Sequence, residues 1–215
     1  MARVEAVRKY RLNSTRGATR KLAEFPMLFG ELRQPDTNYL LVPGVSSENR
    51  KYIPIGFLNS DTIASDLART VPDASLFTFG VLTSAMHMVW VKHVCGRLES
   101  RFRYSNSIVY NNFPWPENPT EKQKNAVEEA AQKVLDTRAM FPNSSLADLY
   151  DPNTMPPELV KAHQALDKAV DLCYRSAPFT SETKRIEFLF ELYDKYTSGM
   201  FAGEEKKGKK LKKIS

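Results

Sequence analysis

The run from Arg101 to Pro116, RFRYSNSIVYNNFPWP, mixes arginines, asparagines, serines and aromatic rings. These residue types recognise nucleic acid. A guanidinium offers a planar fork of donors that fits a guanine edge or a phosphate. An asparagine amide pairs with an adenine edge, a serine hydroxyl reaches base or backbone, and an aromatic ring stacks on an exposed base. On an extended chain, Arg101, Arg103 and Ser105 share one face, and Phe102 and Tyr104 the other. Such a segment anchors in a core and reads a groove at once. A solvated edge hairpin has the same composition, and the residues alone leave both readings open.

Catalytic chemistry is absent at the level of motifs. The sequence contains no GxGxxG, no phosphate loop GxxxxGK[ST], no GxSxG and no HExxH. His93 and Cys95 alternate within a helical run and point to different faces, so a metal site is not expected. His87 and His163 also fall in helical segments. The carboxylate pairs Glu128–Glu129 and Glu204–Glu205 lie on expected exposed surface, without the burial that general acid–base work requires. No catalytic residue and no cofactor site is therefore expected in this chain.

Composition supports a globular protein: 215 residues, 42% hydrophobic and 26% charged. No apolar run is long enough to cross a membrane, and no secretion leader is expected. Cys95 and Cys173 form no CxxC pair and read as buried thiols, which makes a cytoplasmic location the default. Charge is unevenly spread. Residues 1–116 carry 15 Lys/Arg against 9 Asp/Glu, residues 117–200 carry 10 against 14, and residues 201–215 carry 6 against 2. A basic first part beside an acidic second fits nucleic-acid contact by the first alone. Six cations between Arg8 and Lys21, with no acid among them, suit either phosphates or a solvated loop.

The elements that must position these residues form an α+β fold. Two short helices are expected before Pro26. Tyr39–Pro43 and Tyr52–Phe57 read as paired strands, with Pro54 forcing an edge or a bulge. Asp73 to Gly96 is apolar around most of its circumference and reads as one long buried helix, capped by Asp73 or Ser75 and ended by a left-handed Gly96. Arg97–Val109 reads as a hairpin with Ser105–Ser107 as its bend. Trp90, Tyr110, Phe113 and Trp115 read as packing groups. Beyond Glu117 the pattern is helical: a capping box at Thr120–Gln123, a short helix over 145–150, a helix from Pro157, and a third ending near Gly199. Three domains follow: a mixed domain over 1–116, a small helical bundle over 117–200, and a disordered lysine-rich tail over 201–215.

Four blocks, SSENRKYIPIGFL, FGVLTSAMHMVWVKHVCGRLESRFRYSNSIVYNNFPWPE, LADLYDPNTMPPELVKAHQALDKAV and FTSETKRIEFLFELY, resemble one family in order from about Arg3 to Tyr196. It is the MmeI-like (type IIL) restriction–modification proteins, class I S-adenosylmethionine-dependent DNA methyltransferases. In that family one polypeptide joins a nuclease, an adenine-N6 methyltransferase, a target recognition domain and a helical C-terminal domain. The resemblance covers the last two. The glycine-rich cofactor loop, the Asn-Pro-Pro-Tyr motif and the nuclease motif are not present, and YNNFPWP lacks the catalytic order. The resemblance implies double-stranded DNA as partner, read by His87, Lys92, Arg97, Arg101, Arg103, Ser105 and Asn106, with Ser46, Ser47, Asn49 and Arg50 as a second loop. It implies that S-adenosylmethionine and a nuclease Mg belong to a catalytic part, joined in cis or as a separate subunit. The alternative of a different class is a protein-interaction module, docking through its acidic bundle on a separate methyltransferase subunit. The lysine tail departs from the family pattern.

Overall fold

The computed structural model describes residues 1–31 and 33–211, with side chains placed as far as Ser198. The chain forms two compact units, Met1–Pro35 and Asp36–Ser215.

In the first unit, α1 (Ala2–Leu12) carries Glu5 in its first turn and Lys9 and Arg11 in its last, the arrangement that complements a helix dipole. α2 (Gly17–Lys21) runs into a tight 3-10 turn over Leu22–Glu24. The unit is organised by arginine rather than by a core. Arg11 donates to the carbonyls of Leu22 and Phe25 at 2.8 Å and of Leu28 at 2.7 Å. Arg20 donates to the carbonyls of Ser14 and Thr15. Ala23 is the one buried hydrophobic residue among those described here.

The second unit opens with β1 (Tyr39–Pro43), and Gly44 leads directly into β2 (Val45–Ser46). A Cβ on Gly44 would lie 1.9 Å from the Leu67 carbonyl oxygen, so only glycine fits. β1 is flanked antiparallel by β3 (Gly56–Leu58) and β4 (Ala68–Pro72). The expected Tyr52–Phe57 strand survives only at its end. The Ile55 amide donates to the Ile53 carbonyl across Pro54, a tight turn that buries Tyr52, Ile53 and Ile55 instead of continuing a ladder. β4, with the polar Arg69 and Thr70 at its centre, was not legible as a strand.

The single helix expected over 73–96 is two. α3 (Leu76–Leu82) is capped by Ser75, and α4 (Ala85–Val94) starts afresh at Ser84. Ser84 accepts from the His87 amide and donates to the Val81 carbonyl, so one hydroxyl serves both helix ends. Gly96 does not end α4 in a left-handed turn, since no glycine among the described residues has positive φ. Cys95 is extended, and the chain passes straight into β5 (Gly96–Leu98) and β6 (Arg101–Arg103). The bend lies at Glu99, with φ of 56°, and Ser100, not at Ser105–Ser107. Those residues instead begin a single turn of π-helix, Asn106–Tyr110, capped by Ser105. β2, β6 and β5 form the second sheet, in that order.

α5 (Glu121–Ala139) starts at the expected capping box, and α6 (Leu146–Leu149) at Ser145. α7 (Pro157–Tyr174) starts at the expected proline, and α8 spans Glu182–Leu211. α8 continues through Gly199, Gly203 and Gly208, each of which costs a helix only about 1 kcal/mol, among residues that are mostly helix formers. The expected disordered tail is thus helical to Leu211, and residues 212–215 lie outside the described residues. Cys95 and Cys173 are both free and buried.

The core does not stop at residue 116. A Cβ on Gly80 of α3 would meet Val127 of α5 at 2.7 Å and Leu166 of α7 at 3.3 Å. Trp90 of α4 packs against Phe190 and Tyr193 of α8, with ring centroids 5.6 and 5.7 Å apart. A polar cluster crosses the same seam. Asp167 of α7 accepts from the Tyr52 hydroxyl and from the Ala85 amide that begins α4, each at 2.7 Å. Arg138 of α5 donates to the Ile55 carbonyl at 2.7 Å and to the Tyr150 hydroxyl. Tyr150 in turn meets His163 Nε2 at 2.6 Å, and His163 stacks on Tyr52 with centroids 4.0 Å apart. Tyr150 accepts from Arg138, so its own proton goes to His163, which is therefore a neutral acceptor at Nε2. Burial, with Arg138 second, holds its pKa down at about 3.

Candidate nucleic-acid interface

Register in the second sheet decides what each side chain does. Residues opposite one another across antiparallel strands share a face. Val45 and Gly96 face Arg103, and Leu98 faces Arg101. These lie on the outer side, where Arg101, Arg103 and Leu98 are exposed. Ser46 and Arg97 face Phe102, on the inner side. Phe102 and Tyr104 are each 2% exposed, as the alternation required.

Arg97 thus departs from the other two arginines. Its guanidinium lies 4.2 Å over the Phe102 ring and donates to the Ser100 and Lys92 carbonyls. It remains exposed at its edge and braces the hairpin. Arg101 pairs with Glu99 at 2.6 Å on the open surface. Arg103 is exposed and makes no ion pair among the described residues.

The loop after β2 lies beside this hairpin. The Glu48 carboxyl is held below the usual range, first by its own backbone N–H, then by the Ser100 hydroxyl, with Arg97 and Arg101 adding attraction. Ser47 accepts from the Asn49 amide, and Asn49 is exposed. Arg50 turns away and donates to the Ala147 carbonyl of α6 at 3.4 Å. Glu48 and Glu99 were missed as members of the site. The signal was an acid embedded in each of the two candidate runs, SSENR and LESRFR.

Two expected contacts are corrected. His87 is fully buried, with Nε2 3.0 Å from the Tyr104 hydroxyl and its ring edge-on to Phe113. Burial holds its pKa down at about 3, so it is a neutral support beneath β6 and has no surface for a base. Ser46 is also buried, because its register places it on the Phe102 side. Lys92 is half-buried and engaged by Glu182 of α8 at 2.7 Å. Ser105 caps the π-turn through the Ile108 amide, and Asn106 is exposed. Trp90 donates to the Val109 carbonyl, and Trp115 packs against Tyr110 and Phe113, so the closing aromatics hold the turn in place.

Among the described residues no three His, Cys, Asp or Glu side chains are grouped to hold a metal. No described helix is long and apolar enough to cross a membrane.

An arginine-bearing hairpin face backed by the buried Phe102 and Tyr104, in one compact unit with a helical bundle, has the geometry of a binding module. The family is settled by comparison. Residues 1–117 match the family model "MmeI, target recognition domain", and residues 119–201 match "MmeI, C-terminal domain". The chain belongs to the MmeI family, in these two domains. It is 44% identical over 195 residues to DNA methyltransferase A of Bacillus subtilis (strain 168), covering 91% of this chain and 22% of that protein. It is also similar to the solved type IIL restriction–modification enzyme MmeI in complex with DNA. That likeness has a TM-score of 0.87 and 53% identity, over 92% of this chain and 26% of the other. The chain thus spans about a quarter of the length of the relatives it matches.

Proposed function

We propose that this chain reads the sequence of duplex DNA, as the recognition and C-terminal part of a site-specific adenine-N6 methyltransferase and restriction–modification enzyme acting in the cytoplasm. The observation that carries it is the outer face of β6. Arg101 and Arg103 project from a strand whose other face, Phe102 and Tyr104, is fixed in the core. A guanidinium held at a defined height and spacing discriminates bases, whereas one on a mobile loop only attracts phosphate. Ser105, Asn106, Ser47 and Asn49 extend the same polar surface. Methyl transfer, S-adenosylmethionine and a nuclease Mg belong to a catalytic part, in cis or as a separate subunit.

Binding-site selection from a random duplex library tests this. The wild-type chain should enrich one motif. Arg101→Ala and Arg103→Ala should each relax one position, at about 1–3 kcal/mol of discrimination. Unchanged motif and affinity in both variants would reject the assignment.

A protein partner is supported by a separate observation. In the unit Met1–Pro35, Phe25, Met27, Leu28 and Phe29 are 60%, 79%, 59% and 66% exposed. Contiguous apolar surface of this kind suits a protein neighbour, here the catalytic part itself. It offers a docking face besides the acidic helical bundle. Co-elution with a separately expressed catalytic part should be lost in a Phe25→Ser/Phe29→Ser variant.

A further inference from the structure

Where β4 meets the π-turn, the structure holds a cavity of about 220 Å³. It is lined by Val42 of β1, Arg69 to Pro72 of β4, and Tyr104, Asn106, Tyr110 and Asn111. β4 is an outer strand of its sheet, and the lining reaches from it to Val42 of the central strand. The Gly44 bend creates this corner: its amide donates to Leu67, just before β4, while its carbonyl accepts from the Tyr104 amide.

The chemistry of the lining is specific. Its polar side chains are a guanidinium, two carboxamides, a threonine hydroxyl and two phenols, and it contains no carboxylate. Arg69 spends one nitrogen, Nη1, on the Asp66 and Ala68 carbonyls at 3.2 and 3.3 Å. Those two bonds aim the guanidinium and leave its other donors available. Asn106 and Asn111 are exposed, and the Asn111 amide donates to the Asn106 carbonyl at 2.8 Å. π-turns of this kind recur at functional sites. Val42, Val71 and Pro72 supply apolar wall. The volume is below the roughly 300–1,000 Å³ of sites that enclose a small molecule. An oxyanion with a short apolar attachment fits both size and lining.

We propose that this corner grips one DNA backbone unit, a phosphate against Arg69 and Asn111 with its deoxyribose against Val71 and Pro72. It lies immediately past Ser105 on the chain that carries Arg101 and Arg103, so it fixes the register in which that face meets base edges. The inference rests on the proposed DNA-reading function and adds Arg69, which lies outside the sequence motifs and the hairpin face, and a backbone-gripping role for Asn111 of the opening run.

The test is the salt dependence of duplex binding by the intact chain, for wild type, Arg69→Gln, Asn111→Ala and Arg101→Ala. Each phosphate contact contributes about 0.9 to the slope of log affinity against log salt. Arg69→Gln should lower that slope by about one and weaken matched and unmatched duplexes alike, with the selected motif unchanged. Asn111→Ala should weaken both duplexes with little change of slope, having removed a neutral donor. An unchanged slope and affinity in Arg69→Gln overturns the site. So does a changed motif, which would make Arg69 a base reader. If wild type binds no duplex at all, the DNA-reading function itself fails. If Arg101→Ala alters the motif while Arg69→Gln alters nothing, only the backbone site fails. Equal melting temperatures of the variants separate loss of contact from loss of fold.

Discussion

The two compact units solve the problem of order in opposite ways. Asp36–Ser215 buries a continuous apolar core and then places a few charges inside it. Met1–Pro35 buries almost nothing and is shaped by two arginines that gather backbone carbonyls. In the first case a guanidinium is surrounded by protein, and removing it strands its partners. In the second, water is at hand to replace each lost bond. The same residue type is therefore worth several-fold more in one unit than in the other. A recognition face needs the first kind of support, because base reading tolerates little displacement.

The largest expected effect follows from Arg138. It donates to the Ile55 carbonyl and the Tyr150 hydroxyl, and it stacks over the Phe79 and Tyr150 rings. Arg138→Ala leaves those acceptors buried without donors and opens a cavity between α5 and the Tyr52–Ile55 turn. A loss of about 3–5 kcal/mol is expected in denaturant unfolding. Arg138→Met, which refills volume without charge, should recover part of it. A loss under about 1 kcal/mol for the alanine variant would show that water enters the cluster, and the contrast between the units would collapse.

Next in size is the pH dependence of the second unit. His87 and His163 have folded pKa values near 3, below the ordinary 6.5, so the unfolded chain binds two more protons between those limits. Their contribution to stability is present above pH 6.5 and is lost as pH falls. Asp167 works the other way: burial raises its pKa to about 6, so from about pH 4 to 6 the folded chain binds one more proton. Two histidines against one carboxylate leave a net loss on acidification, about 1.4 kcal/mol per pH unit from these three groups. In Asp167→Asn the opposing proton is gone, and the slope between pH 4 and 6 should steepen to roughly twice that value. Denaturation midpoints across that range measure it. Parallel pH profiles would mean that Asp167 stays ionised in the fold, held by Tyr52, the Ala85 amide and the nearby Arg185.

Sequence was most informative where a period or a cap is local. Thr120–Gln123 and Pro157 marked helix starts, and the alternation of Arg101 to Tyr104 marked which residues are buried. It was silent where the deciding contact is distant. A run apolar on all sides, as from Leu76 to Val94, has no phase from which to see the break at Ser84. Ser46 and Arg97 took their faces from the pairing with Phe102, a register that no local pattern encodes. His87 bears a polar atom, but its partner is the Tyr104 hydroxyl, 17 residues away. β4 was hidden because an outer strand tolerates polar residues at its centre. The basic charge of the first part was visible, but not that Arg97 and Lys92 are engaged by the protein itself.

The smallest expected effect belongs to the first unit and tests the comparison from its other side. Arg11→Ala removes three donated bonds, to Leu22, Phe25 and Leu28, more than Arg138 makes to carbonyls. If bond number governed stability, this variant would be the worse one. Solvent access predicts the reverse, because each carbonyl regains a water partner at once. The cost should be about 1–2 kcal/mol, confined to opening of the turn over 22–28. Hydrogen exchange at the Phe25 and Leu28 amides, which donate to Leu22 and Phe25, should speed roughly tenfold. The main unfolding transition should stay where it was. A fall of that transition as large as in Arg138→Ala would show that the arginine-built unit carries as much of the stability as the core does.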